Sequence, residues 1–272
     1  MSKEQSKNHF YSDERFYKSS NARSIRILSE YLGPKQRFQR NHIEDTIVFF
    51  GSARILSKEK AKKNIEKSSK KISMQEKNRL HHDELMSTFY DDARSLAQKL
   101  THWSKKQKNS KHRYIITSGG GPGIMEAASR GASEAKGLSI GLNITIPHEQ
   151  SGNKWLTPDL NMEFHYFFMR KFWFTYLAKA VVLFPGGYGT LDELFETLTL
   201  LQTGKIRKHL PLVLFGTEYW NQVIDFSALI DNGMIAPCDL DLFISTDSVD
   251  AAFDHIVEAL TTYGLMERGP IL

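Results

Sequence analysis

The sequence predicts an α/β protein built on one doubly wound, parallel, Rossmann-like sheet. Three observations predict it. From residue 114 onward, short apolar runs alternate with stretches of helical spacing, and parallel strands need helical crossovers that cover both faces of the sheet. Two glycine-rich segments, at 118–123 and 185–190, each follow an apolar run and each open a helical stretch. Such sheets bind ligands at those strand-to-helix turns. Finally, 272 residues with 40% hydrophobic and 25% charged side chains can bury one large core, and no internal repeat divides the chain.

The elements follow in order. Residues 1–44 are polar with Phe10, Tyr11, Phe16 and Tyr17 interleaved, and are expected to form a helical N-terminal extension packed on a catalytic domain at 45–272. The apolar run 46–50 (TIVFF) ending at Gly51 reads as a buried strand. Segment 57–80 is a basic insertion with nine Lys and Arg against three Glu, so it holds the whole +5 excess of the chain. Residues 83–104 place Leu85, Phe89, Ala93, Leu96, Leu100 and Trp103 near one helical stripe. Strands are expected at 114–117, 138–142, 162–166, 180–184, 210–215 and 242–244. Helices are expected at 124–135, 169–178, 190–203, 219–229 and 249–262, with a polar loop at 147–160.

Composition excludes several classes. No run reaches about 18 apolar residues, so no membrane span is expected. The N-terminus has no apolar segment of a secretory signal. The single Cys238 excludes an internal disulfide, and a cytoplasmic setting is expected. The basic run comes without a nucleic-acid motif and reads as a solvated face, so nucleic acid is not the expected partner. His81, His82, Asp83 and Glu84 could suggest a metal, but adjacent helical residues point apart, and a charge cluster at a helix N-terminus is the better reading.

Both glycine loops suit an anion. Glycine lets backbone N–H groups approach closely, and a helix N-terminus adds about half a positive charge. Neither loop has the Lys and hydroxyl of a triphosphate P-loop, and Ile124 stands where a dinucleotide motif needs its last glycine. Gly119, Gly120 and Gly121 in the first loop, and Gly186, Gly187, Gly189 and Thr190 in the second, are candidate phosphate and substrate contacts. Met125 and Tyr188 at the two junctions join them. Ser52 and Arg54 follow the first strand and could reach phosphate or ribose or serve only the turn, Asn143 is a similar candidate after its strand, and Glu126 could read the base or the ribose or simply favour the helix dipole.

The segment PGGYGTLDE at 185–193 resembles the P-G-G-x-G-T-x-x-E signature of the LOG family, and Arg170-Lys171 lies upstream as the family's Arg-Lys pair does. SGGGPGIMEAASRGA at 118–132, GSAR at 51–54 and GLNITIPHEQ at 141–150 are similar to segments of its larger bacterial members. The family comprises phosphoribohydrolases of nucleoside monophosphates, cytokinin riboside 5′-monophosphates among them, often labelled lysine decarboxylases. The resemblance implies Arg170 and Glu193 as the catalytic pair, and Glu149, Arg170 and Lys171 as nucleotide contacts. It implies a homodimer or higher homo-oligomer, and hydrolysis to free base and ribose 5-phosphate without metal or organic cofactor. It leaves a second reading, a non-catalytic nucleotide or molybdenum-cofactor carrier. No lysine sits in a context that demands pyridoxal phosphate.

The chemistry is consistent with those residues. Cleaving an N-glycosidic bond builds positive charge on the ribose and negative charge on the leaving base. A carboxylate near the sugar stabilises the first or activates water, and the guanidinium of Arg170, charged at any working pH, orients base or ribose. Spacing alone offers Glu193 another role, because Thr190-Leu191-Asp192-Glu193 reads as a T-x-x-E capping box.

Overall fold

The computed structural model describes residues 9–68, 72–107, 112–145 and 152–264. Seven strands, all parallel, form one sheet: β1 (Thr46–Phe50), β2 (Ile115–Ser118), β3 (Ser139–Ile144), β4 (Asn161–Phe164), β5 (Ala178–Leu183), β6 (Leu212–Phe215) and β7 (Ile244–Thr246). Their spatial order is β4-β3-β2-β1-β5-β6-β7. The doubly wound α/β fold expected from the sequence is the fold observed.

Helices in chain order are α1 (Glu14–Lys18), α2 (Arg23–Arg40), α3 (Lys58–Lys67), α4 (Met74–Lys106), α5 (Ile124–Glu134), α6 (Phe167–Leu177), α7 (Tyr188–Gln202), α8 (Thr217–Val223), α9 (Phe226–Asp231) and α10 (Val249–Ala259). None of these described helices is long and apolar enough to cross a membrane.

Strand β1 shows why the layers form. All five residues are buried, and successive side chains leave opposite faces. Ile47 and Phe49 join a core with Tyr90, Leu96 and Leu100 of α4, Ala128 of α5 and Ile256 of α10. Val48 and Phe50 join the other core, with Phe38 of α2, Trp173 and Phe174 of α6 and Leu194 of α7. A strand buried on both faces reads as a continuous apolar run.

Five expectations shift. Helix α4 begins at Met74, capped by Ser73, whose hydroxyl accepts the Glu76 N–H, so it starts well before residue 83. At 33 residues it runs about 50 Å. His81–Glu84 therefore lie inside α4 rather than at its N-terminus, and Leu85 is exposed while Tyr90 and Ala97 carry the stripe inward. The single helix expected at 219–229 is two, because Asp225 caps α9 with its carboxylate on the Ala228 N–H. The strand expected at 242–244 starts only at Ile244, since residues 237–242 form a 3-10 turn.

The sheet order reverses between β1 and β5. Chains leave these neighbours toward opposite faces, which opens a crevice at their carboxyl ends. Register pairs Phe50 with Leu183, so the segments after β1 and after β5 emerge side by side. The Ser52 N–H donates to Pro185 O at 2.9 Å, tying the two exits together.

Candidate active site

A cavity of about 810 Å³ occupies that crevice. Residues 50–56 form one wall and residues 185–191 with Glu193 another. Gly119 and Met125 come from the β2 side, Arg170 and Phe174 from α6, His82, Asp83 and Met86 from α4, and Tyr219 from α8.

The second glycine loop builds the mouth of the cavity. Helix α7 begins at Tyr188 with Gly187 as cap, and the Thr190 and Leu191 N–H groups both donate to Gly187 O. Thr190 is thus already helical, and the capping-box alternative for Glu193 is corrected: the cap lies three residues earlier. Tyr188 and Gly189 precede any helical acceptor for their N–H groups, as at every helix start. The Tyr219 hydroxyl braces the loop, donating to Gly186 O at 2.5 Å.

Glu193 is buried at 6% exposure on the inner side of α7. Its Oε1 lies 4.0 Å from a terminal nitrogen of Arg170. Burial pushes its carboxyl up to about 7, against the pull of Lys171 and Arg170. Burial likewise lowers Arg170 from its usual value, against the raising influence of Glu193 and Asp192. The Arg170 guanidinium stacks over Phe167 at 5.1 Å and Phe174 at 5.7 Å, and its buried Nε finds no hydrogen-bond partner among the described residues. An under-satisfied cation facing a proton-hungry carboxylate across a cavity is an arrangement found at functional sites.

The structure brings together Ser52, Arg54, Gly119, Met125, Arg170, Gly186, Gly187, Tyr188, Gly189, Thr190 and Glu193. It leaves others outside the lining. Gly120 and Gly121 are buried, and their carbonyls accept from the Asn153 side chain at 3.0 and 3.1 Å. Asn143 donates to Asn161 Oδ1 and Met162 O. Glu126 accepts the Tyr90 hydroxyl at 2.8 Å. Lys171 pairs with Asp192 and Glu196, both at 2.7 Å, and these bonds hold its pKa up despite partial burial. Glu149 lies outside the described residues. Sequence reasoning missed Phe50, Ile55, Leu56, His82, Asp83, Met86, Leu191 and Tyr219. The spacing of His82 and Met86, four apart, could have signalled one helix face had α4 been started at Met74.

Fold and site together define an α/β protein with a cavity at a topological switch point, bordered by the N-terminus of α7 and by a buried carboxylate–guanidinium pair. Comparison with known proteins agrees. A family model described as "possible lysine decarboxylase" matches residues 125–256. Cytokinin riboside 5′-monophosphate phosphoribohydrolase LOG5 of Arabidopsis thaliana is 26% identical over 187 residues, covering 67% of this chain and 75% of that protein. LOG7 of the same plant is 29% identical over 135 residues, 48% of this chain and 60% of its own length. The molybdenum cofactor carrier protein of Chlamydomonas reinhardtii, 15% identical, aligns over 80% of this chain and 99% of its own with a TM-score of 0.42, a likeness too slight to bear on function. The chain is thus similar to proteins of the LOG family, among them phosphoribohydrolases of cytokinin riboside 5′-monophosphates.

Proposed function

We propose that the protein hydrolyses the N-glycosidic bond of nucleoside 5′-monophosphates, of the AMP or cytokinin riboside monophosphate type, releasing free base and ribose 5-phosphate. The observation that carries the reading is Glu193, buried and 4.0 Å from Arg170 inside the cavity that the α7 N-terminus opens on.

In this reading the phosphate sits against the first turn of α7, where backbone N–H groups and the helix dipole favour an anion. Arg54, exposed at the opposite wall, adds a cation near the mouth. The ribose then lies over the second turn, beside Glu193. In its ionised form that carboxylate stabilises the oxocarbenium-like sugar and orients water toward C1′. Arg170 holds the carboxylate and the sugar in register and offsets charge on the departing base. The exposed Tyr188 at the mouth and Phe195 two turns along α7 give this face an apolar surface, which fits a homodimer that partly covers the mouth.

The test is a panel of nucleoside monophosphates and their parent nucleosides, with free base measured by chromatography. Release from monophosphates and not from nucleosides is expected, because phosphate binding positions the sugar. Release from neither would remove the reading.

A further inference from the structure

The N-terminal extension reaches the site without touching the cavity. Glu30 of α2 places its carboxylate on the start of α6: Oε1 accepts the His165 N–H at 2.7 Å and Oε2 accepts the Tyr166 N–H at 3.2 Å. These two N–H groups enter the helix that carries Arg170, and α6 has no side-chain cap of its own. The backbone of the same residue is engaged too, since Trp173 Nε1 donates to Glu30 O at 3.0 Å. One turn earlier on α2, Arg26 Nε donates to the Tyr166 hydroxyl at 3.4 Å. The Arg170 N–H in turn donates to Tyr166 O at 3.2 Å, so Tyr166 is the residue on which the first turn of α6 is hung.

The guanidinium has little of its own to locate it. Its Nε lacks a partner among the described residues, and Glu193 stands at the outer limit of an ion pair. Its place is therefore set by its stacking on Phe167 and Phe174, both on α6, and by where α6 itself sits. A carboxylate accepting two backbone N–H groups at a helix start is a strong, charge-assisted anchor.

We propose that Glu30 is a positioning residue: through the α6 N-terminus it sets the reach of Arg170 toward Glu193, and so ties the N-terminal extension to turnover. The proposal rests on the reading of the site given above. Displacements of about 1 Å at a reacting centre can cost as much as a hundredfold in rate, so an indirect anchor should carry a measurable part of that.

The experiment compares Glu30→Ala, Glu30→Gln, Arg170→Ala and the Glu30→Ala/Arg170→Ala pair by steady-state base release from AMP. Glu30→Ala should lower kcat about tenfold with KM within about threefold, the pattern of a lost transition-state interaction. Glu30→Gln should recover part of the loss, since its amide oxygen still accepts one N–H. In the Arg170→Ala background the Glu30 change should cost nothing further, whereas independent, multiplying losses would overturn the proposal. If Glu30→Ala does not fold, Glu30→Gln carries the same cycle.

Should wild type release no base from any monophosphate, the functional reading fails while the positioning is still decided. Carbon NMR of the Glu193 carboxyl in the free protein then reads it. Arg170, Lys171, Asp192 and Glu196 are the charged groups that act on Glu193. Withdrawing Arg170 by Glu30→Ala should raise the Glu193 midpoint, and the same change should do nothing without Arg170. An unmoved midpoint in Glu30→Ala overturns the proposal.

Discussion

The two glycine loops look alike in the sequence and do different work in the structure. After β2, Gly120 and Gly123 have positive φ of 75° and 69°. A Cβ on Gly123 would overlap Ser52 O, and one on Gly120 would overlap the Asn143 side chain. This loop is glycine-rich because its neighbours leave no room, and only Gly119 of its glycines faces the cavity. After β5 the situation reverses. Gly187 has φ −89°, and a Cβ on Gly187 or on Gly189 would meet nothing within 4 Å. The fold tolerates a side chain there, so the space that these glycines keep open is available to a guest. Gly186 belongs to the first kind, since its Cβ would overlap the Thr190 side chain. A glycine required by the backbone and a glycine that only keeps space open are thus distinguishable by what a methyl group would strike.

Substitutions turn that contrast into expected outcomes. Gly123→Ala should destabilise the protein by about 3 kcal/mol or more, from left-handed strain plus overlap with backbone that cannot yield; urea denaturation reads it. A loss below about 1 kcal/mol would erase the distinction between the loops.

The next largest effect concerns Glu193, which the second loop carries inward. Its carboxyl is raised from 4.5 to about 7 by burial. A raised carboxylate favours the native state fully below its unfolded value, and that contribution is lost as pH climbs through the folded one. Glu193→Gln should therefore match wild type in stability near pH 4 and exceed it at pH 8 by on the order of 3 kcal/mol. Thermal melts across that range check it, and equal stability at pH 8 would mean that the carboxyl ionises without penalty.

The smallest effect is the most specific. Gly189→Ala places a good helix former in the first turn of α7, so stability should hold or rise by up to about 1 kcal/mol. The added methyl enters the open space at the helix start, and AMP affinity by calorimetry should fall about tenfold, roughly 1.4 kcal/mol. Unchanged affinity would remove the phosphate from this loop.

Much of the fold was legible because β1, β5 and β6 are buried on both faces and carry the apolar runs Ile47–Phe50, Ala180–Leu183 and Leu212–Phe215. The site was legible where local sequence builds it, from Pro185 to Glu193. It was illegible where tertiary placement decides. Gly120 and Gly121 read as ligand-binding from composition, yet Asn153, more than thirty positions away, takes up their carbonyls. His82 and Asp83 read as a charge cluster at a helix N-terminus because the lysine-rich run before them hides the Ser73 cap, where α4 begins. The capping box at Thr190 was a sound local pattern that lost to an earlier helix start at Tyr188. Glu30 carries no motif, and its role follows only from the packing of α2 on α6.

In the proposed reaction the Glu193 carboxylate, held beside Arg170 behind the second loop, stabilises the sugar as the glycosidic bond breaks. Single-turnover release of base from AMP by Glu193→Gln, with AMP binding measured on the same sample, tests it most directly. Binding should survive, since the α7 N-terminus is intact, while release should slow by about a thousandfold, roughly 4 kcal/mol of lost transition-state stabilisation. Release at the wild-type rate with binding retained would contradict the account.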